Sequence, residues 1–253
     1  MQKIIKFSIR FIPRTILQRF SGSILKLIGL FYRGKNYTDP ISGISYRKML
    51  PYGRTLIRKN ALAPDSMSLE RHRIIWLYLQ NKTNILNDHL KMLHVAPEYC
   101  FIKRFKKLKN LTYITGDIES PWADVKMDIQ DIPFSDNTFD IIMCNHVFEH
   151  IDNDKKAMSE FFRVLKPNGW AIFQVPICWD QPTLEDASIT DPKEREKVFG
   201  QRDHVRYYGY DYPDRLQSVG FSVSVIDYAK ELGSDLIKKY ALLPDEKIIF
   251  CRK

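Results

Sequence analysis

From Leu90 onward the chain alternates short apolar runs with one stretch of clear helical spacing. Lys91 to Val95 and Leu111 to Thr115 read as strands, and so do Ala123 to Asp128 and Phe139 to Asn145. Between Asn153 and Leu165 the apolar positions Ala157, Met158, Phe161, Phe162 and Leu165 recur at helical intervals, with Asp and Lys on the other face. Pro167, Asn168 and Gly169 predict the stop, and Trp170 to Val175 predicts another buried strand. Strand, helix and strand in this order predict an α/β, doubly wound parallel sheet.

The polar residues fall where such a sheet binds ligands, outside the carboxyl ends of its strands. One strand ends at Asp128, followed by Ile129, and the next ends at Asn145 and His146. Leu111 to Thr115 runs into Gly116, Asp117 and Ile118, a little over twenty residues after His94. That is the spacing of an acid that binds ribose hydroxyls, although Asp after Gly is also an ordinary turn. The turn after the first strand reads His94-Val-Ala96-Pro-Glu98-Tyr-Cys100 and contains no glycine. A phosphate cradle needs glycines for close backbone approach, and Glu98 would repel a pyrophosphate, which argues against a dinucleotide cofactor.

The phrase DIPFSDNTFDIIMCNHVFEHI followed by RVLKPNGW resembles the second half of class I S-adenosylmethionine-dependent methyltransferases of the type 11-like group. The likeness runs from about Leu90 to the C-terminus and implies a Rossmann-like sheet of seven strands. Phe221 to Tyr228 and Lys247 to Cys251 are placed to supply its terminal antiparallel hairpin. It implies S-adenosylmethionine as cofactor, contacted by His94, Ala96, Glu98, Asp117, Ile118, Asp128, Ile129 and Asn145. A carboxylate at Glu98 suits a cofactor with an ammonium and a sulfonium and no phosphate, and it equally suits a bare helix start. His146, beyond the fourth strand, is the candidate catalytic group; Glu149 and His150 follow in a helical turn that suits structural hydrogen bonds. No Pro-Pro-aromatic follows Asn145, so the base-amine DNA methyltransferase motif is missing. The charged stretch from Ile177 to Gly200 and the GQRDHVRYYGYDYPDRL run that follows, with Thr183, Glu185, Asp186, His204, Arg206 and Tyr208, read either as an acceptor wall or as solvated loop.

Upstream, DPISG at Asp39 to Gly43 and APDSM at Ala63 to Met67 share one frame and resemble zinc knuckles stripped of cysteine. Asp39, Ser42, Ala63 and Ser66 supply no thiolate, so no metal is expected. Arg71 and Arg73, on the following helix, reach either the methionine carboxylate of the cofactor or solvent. The predicted organisation is a basic arm at 1–36, the degenerate ribbon-like segment with its lead-in helix at 37–80, and the methyltransferase domain at 81–253.

Composition alters this picture in one respect. With 44% hydrophobic and 27% charged residues the chain can bury one full α/β core. Cys100, Cys144, Cys178 and Cys251 show no metal or disulfide spacing, which suits a cytoplasmic location. Of the net charge of +9, eight basic residues precede the first acid, Asp39, leaving +1 for all that follows. A nucleic-acid track across the core is therefore not expected. In the arm, Ile16, Leu17, Phe20, Ile24, Leu27, Ile28 and Phe31 fall at helical spacing among Arg and Lys. That pattern reads as an anchor at the inner face of a membrane through residues 1–34, or as a helix docked on the core or a partner subunit. The expected activity is methyl transfer to a small-molecule or glycan-like acceptor; the alternative, favoured by the glycine-free turn, is a non-catalytic cofactor-binding or scaffold protein. Oligomeric state is not encoded in any feature of the sequence.

Overall fold

The computed structural model describes residues 14–53 and 56–253. Two compact units divide the chain: one comprises Met1–Asn84, Glu98–Arg104 and Tyr228–Glu246, the other Ile85–Pro97, Phe105–Asp227 and Lys247–Lys253. The division is not the linear one expected from the sequence.

In the first unit a helix, Arg14–Tyr32, leads into two hairpins. These are β1 (Arg33–Asp39) with β2 (Ile44–Tyr46), and β3 (Leu50–Tyr52) with β4 (Arg58–Leu62). The first thirteen residues of the basic arm lie outside the described residues. On the helix, Ile24, Leu27, Leu30 and Phe31 are exposed. Among the described residues no helix is long and apolar enough to cross a membrane. The first cysteine-free knuckle is organised by Asp39, which is fully buried and accepts hydrogen bonds from the Ile41 and Ser42 amides and from the Ser42 and Ser68 hydroxyls. Arg73 does not reach toward a ligand. Its buried guanidinium donates to the carbonyls of Ala61, Ser68, Tyr240 and Ala241, and burial lowers its pKa to about 10. These bonds, with Asn81 to the Tyr228 hydroxyl and Lys82 to Glu231, explain why Tyr228–Glu246 groups with the N-terminal segment.

The second unit holds a seven-stranded sheet. Its strands are β5 (Leu90–Val95), β6 (Leu111–Asp117), β7 (Val125–Lys126), β8 (Phe139–Asn145) and β9 (Leu165–Gln174), with β13 (Ser222–Ile226) and β14 (Ile248–Arg252). They run in the order β13-β14-β9-β8-β5-β6-β7. The first five are parallel, and β14 pairs antiparallel with both β9 and β13. Central strands are buried on both faces, which is why β8 reads as a continuous apolar run. The helix Asp154–Val164, capped by Asn153 accepting from the Lys156 amide, buries Ala157, Met158, Phe161 and Val164. Phe161 packs edge-on or tilted against Phe148 and Phe173 with ring centroids 5.7 and 5.2 Å apart. Each such buried ring is worth about 1.5–3 kcal/mol.

Three expectations need adjusting. Ala123 to Asp128 forms only the two-residue β7, with Asp128 bridged to Asp131 beyond it. Pro167-Asn168-Gly169 does not separate helix from strand: it lies inside β9 as a bulge, with Phe139 opposite Leu165 but Ile141 opposite Trp170. Asn168 takes φ +65° there, a conformation Asn tolerates. The stretch from Ile177 to Gly200 is not featureless; it contains β10 (Ile177–Cys178), β11 (Leu184–Glu185) and the helix Pro192–Phe199, and the first two flank β12 (Arg206–Gly209).

Candidate functional site

The strand order reverses at β5, whose neighbours β6 and β8 lead to opposite edges of the sheet. The crevice outside the carboxyl ends of these strands is where an open α/β sheet binds ligands. Register brings the ends level, with Val95 opposite both Gly116 and Cys144.

At the end of β6, Asp117 accepts from the Glu119 and Ser120 amides, both at 2.7 Å and both on Oδ1. This shapes the loop and leaves Oδ2 without a hydrogen bond among the described residues. Asp117, Ile118, Glu119, Ser120, Ala123 and Lys126 line a cavity of about 340 Å³. Ile118 is exposed there, an apolar surface beside a carboxylate. A Cβ at Gly116 would lie 2.7 Å from the Met127 sulfur, so the Met127 side chain would have to shift to admit one. Asp128 is exposed and accepts from the Gln130 amide on Oδ1, while Ile129 is buried. A carboxylate oxygen for ribose hydroxyls and an adjacent apolar face fit the nucleoside portion of S-adenosylmethionine.

The turn after β5 corrects one expectation. His94 is fully buried, its Nδ1 2.8 Å from the Tyr113 hydroxyl and its ring against Phe105 and Tyr113. Its imidazole belongs to the packing between β5 and β6. Ala96 adopts φ +48° and donates its amide to the Gly116 carbonyl. The left-handed turn is thus retained with a Cβ in place. Glu98, in the first unit, accepts the Phe101 and Ile102 amides on its carbonyl, which starts the helix Tyr99–Phe105. Its carboxylate lies 3.9 Å from His72 Nε2. His72 Nδ1 accepts the Leu69 amide, so Nε2 carries the proton and points it at an acid.

At the end of β8, Asn145 is buried against Gln174, with Oδ1 3.4 Å from the Gln174 amide. His146 takes φ +55°, donates its amide to the Gln174 carbonyl, and places Nδ1 3.3 Å from Glu149 Oε1. Glu149 is buried and sits in a short 3₁₀ turn, Phe148–His150. That contact makes Nε2 the basic nitrogen of His146, and Nε2 has no hydrogen-bond partner. Sequence reasoning missed Glu149 as the residue that orients His146. The spacing of three residues on one turn was the available signal.

The expected acceptor wall is largely a clamp. Arg206, buried, donates to the carbonyls of Phe148, Ile151 and Asp152 and to Glu185. Tyr208, fully buried, donates to Asp154, which Arg215 grips with two further bonds at 2.9 Å. Thr183 bonds Asp211, and Asp186 closes an exposed turn onto Ser188. Burial alone would raise the Asp154 pKa, but bonds from Arg215 and Tyr208 hold it below the usual carboxylate value. Burial, followed by Asp154, pushes Tyr208 up. His204 is buried with its pKa lowered by desolvation, and its Nδ1 faces the Phe199 carbonyl.

Residues 91–173 match the family model described as "Methyltransferase domain". Over that stretch the chain is similar to S-adenosylmethionine-dependent methyltransferases. Two curated relatives are both named Ubiquinone/menaquinone biosynthesis C-methyltransferase UbiE. That of Klebsiella pneumoniae is 31% identical over 137 residues, covering 49% of this chain and 52% of the relative. That of Salmonella paratyphi B is 38% identical over 137 residues with the same coverage. The chain thus spans about half the length of the curated relatives it matches. Among solved structures, a SAM-dependent methyltransferase from Archaeoglobus fulgidus is 15% identical with a TM-score of 0.48, covering 72% of this chain and 94% of that one.

Proposed function

We propose that this chain transfers a methyl group from S-adenosylmethionine to a small-molecule acceptor. The observation that carries the reading is Asp117 at the switch point of the sheet, one carboxylate oxygen open beside the exposed Ile118. Relatives named for C-methylation in ubiquinone/menaquinone biosynthesis support a small-molecule acceptor over a glycan-like one. When bound, the cofactor would supply an electrophilic methyl group. Asp117 would hold the ribose hydroxyls, Ile118 would cover one face of the base, and Asp128 with the Ile129 backbone would meet its polar edge. Asn145 and His146 would align the acceptor, with Glu149 holding the His146 ring through Nδ1. Displacement at a sulfonium needs alignment and exclusion of water more than it needs acid or base.

Titration calorimetry with S-adenosylmethionine and its demethylated product tests this. Wild type should bind both, and Asp117→Ala should weaken them by at least about tenfold, since charge-assisted hydrogen bonds are worth roughly 1.5–3 kcal/mol. No heat with either compound would sink the enzyme reading and restore that of a scaffold. The arm is a separate proposal: its exposed apolar positions, flanked by basic residues, suit an anionic lipid surface.

A further inference from the structure

Glu149 and His150 are neighbours in sequence and His204 lies more than fifty residues further on, yet each of the three offers a ligand atom within 4.8 Å of the other two. Two atoms in this group are conspicuous. Glu149 Oε2 and His204 Nε2 are both buried and both lack a hydrogen-bond partner, on side chains that are 2% and 3% exposed. A buried carboxylate oxygen or imidazole nitrogen without a hydrogen bond is costly, so two such atoms in one cluster call for an occupant. The surroundings already hold the ligands in place. His204 Nδ1 faces the Phe199 carbonyl and His150 Nδ1 the Asp203 carbonyl, both at 3.1 Å. An imidazole that donates from Nδ1 to a carbonyl presents its Nε2 lone pair outward, the usual arrangement behind a metal-ligating histidine. Glu149 Oε1 is meanwhile turned toward His146 Nδ1. The rings of His150 and His204 meet edge to face with centroids 4.7 Å apart, close enough to share one ion.

We propose that Glu149, His150 and His204 form a binding site for a divalent first-row transition-metal ion, of the zinc or iron(II) class, that nothing in the knuckle-like N-terminal segment supplies. Two imidazoles and one carboxylate select such ions over magnesium and calcium, which prefer all-oxygen shells. Three protein ligands leave room for water or an acceptor oxygen. An ion there would also hold Glu149 rigid, and through it the ring of His146. The inference does not depend on the methyltransferase reading, because binding can be measured with neither cofactor nor acceptor present.

The test uses the full chain, stripped with a chelator and titrated with Co²⁺ and then Zn²⁺. Wild type should take up a single Co²⁺ with the visible bands of a nitrogen- and oxygen-ligated ion, and Zn²⁺ should bleach them. His150→Ala removes a half-exposed ligand and leaves the interior packing in place. It should weaken both ions by at least about tenfold while near-ultraviolet circular dichroism stays as in wild type. His89→Ala, which removes an exposed histidine elsewhere, should bind as wild type does. The assignment is overturned if wild type shows no Co²⁺ bands, if His150→Ala binds as tightly as wild type, or if Mg²⁺ displaces Co²⁺ at comparable concentration.

Discussion

Ala96 carries the conformation that a glycine would adopt without strain. At φ +48° its Cβ crowds the following carbonyl, at a cost of about 1–2 kcal/mol, against the roughly 0.5–1 kcal/mol of extra chain entropy that glycine loses on folding. Ala96→Gly should therefore stabilise the protein by about 0.5–1 kcal/mol, read as a rise of roughly 2 °C in Tm. An unchanged or lower Tm would show that the Cβ makes packing contacts worth more than the strain. The same residue bears on the reading of the turn from sequence. Absence of glycine there signals a changed side chain, and the backbone turn survives, with the Ala96 amide still tied to Gly116. His94, read from sequence as a cofactor contact, lies fully buried with its Nδ1 beside the Tyr113 hydroxyl on the neighbouring strand, a pairing that strand order alone creates.

Among the elements, the segment after β9 departs furthest from what its pattern suggested. Its cohesion comes from Asp154, Glu185, Arg206, Tyr208 and Arg215, joined by ion pairs and hydrogen bonds. Both carboxylates have folded pKa values depressed below their usual ones: burial opposes this, and bonds from Arg215, with Tyr208 for Asp154 and Arg206 for Glu185, outweigh it. A depressed carboxylate pKa contributes stability above the unfolded value and loses it as pH falls through the folded one. The loss thus belongs below about pH 4. Asp154→Ala leaves Arg215 and Tyr208 without their buried partner and should cost about 3 kcal/mol at neutral pH. The variant should also show a shallower fall of Tm between neutrality and acid than wild type. Parallel Tm-against-pH curves would remove Asp154 from the acid response. Helix signals in this segment went unused, although Asp191, Pro192 and Gly200, the N-cap, first-turn proline and left-handed C-cap around Pro192–Phe199, were legible. The two-residue strands were not, because pairing so short has no period. The buried strands β5, β8 and β9 were readable for the opposite reason, as continuous apolar runs covered on both faces. The meeting of Glu149 with His204 was beyond sequence reasoning, since it depends on where the chain returns after β9.

At the scale of the whole molecule, charge and apolar surface coincide in one place. Eight of the nine net positive charges precede Asp39, and the helix Arg14–Tyr32 exposes Leu27 and Phe31 at 64% and 77%. Exposed apolar residues are common singly, but four on one short helical stretch that also carries Lys26 form a patch with a preferred environment. An anionic bilayer meets both requirements at once: apolar side chains enter the headgroup boundary, and each nearby Lys or Arg adds about 1 kcal/mol. Leu27→Glu with Phe31→Glu reverses both terms at positions open to solvent. Its stability should therefore stay within about 0.5 kcal/mol of wild type. Co-sedimentation with vesicles rich in phosphatidylserine should fall to the level seen with neutral vesicles, and wild-type binding should fall as salt rises. Affinity for S-adenosylmethionine should be unchanged, because Asp117, Ile118 and Asp128 belong to the unit that holds the seven-stranded sheet. Equal sedimentation of wild type and the double variant would refute the lipid reading and leave the exposed face to a protein partner.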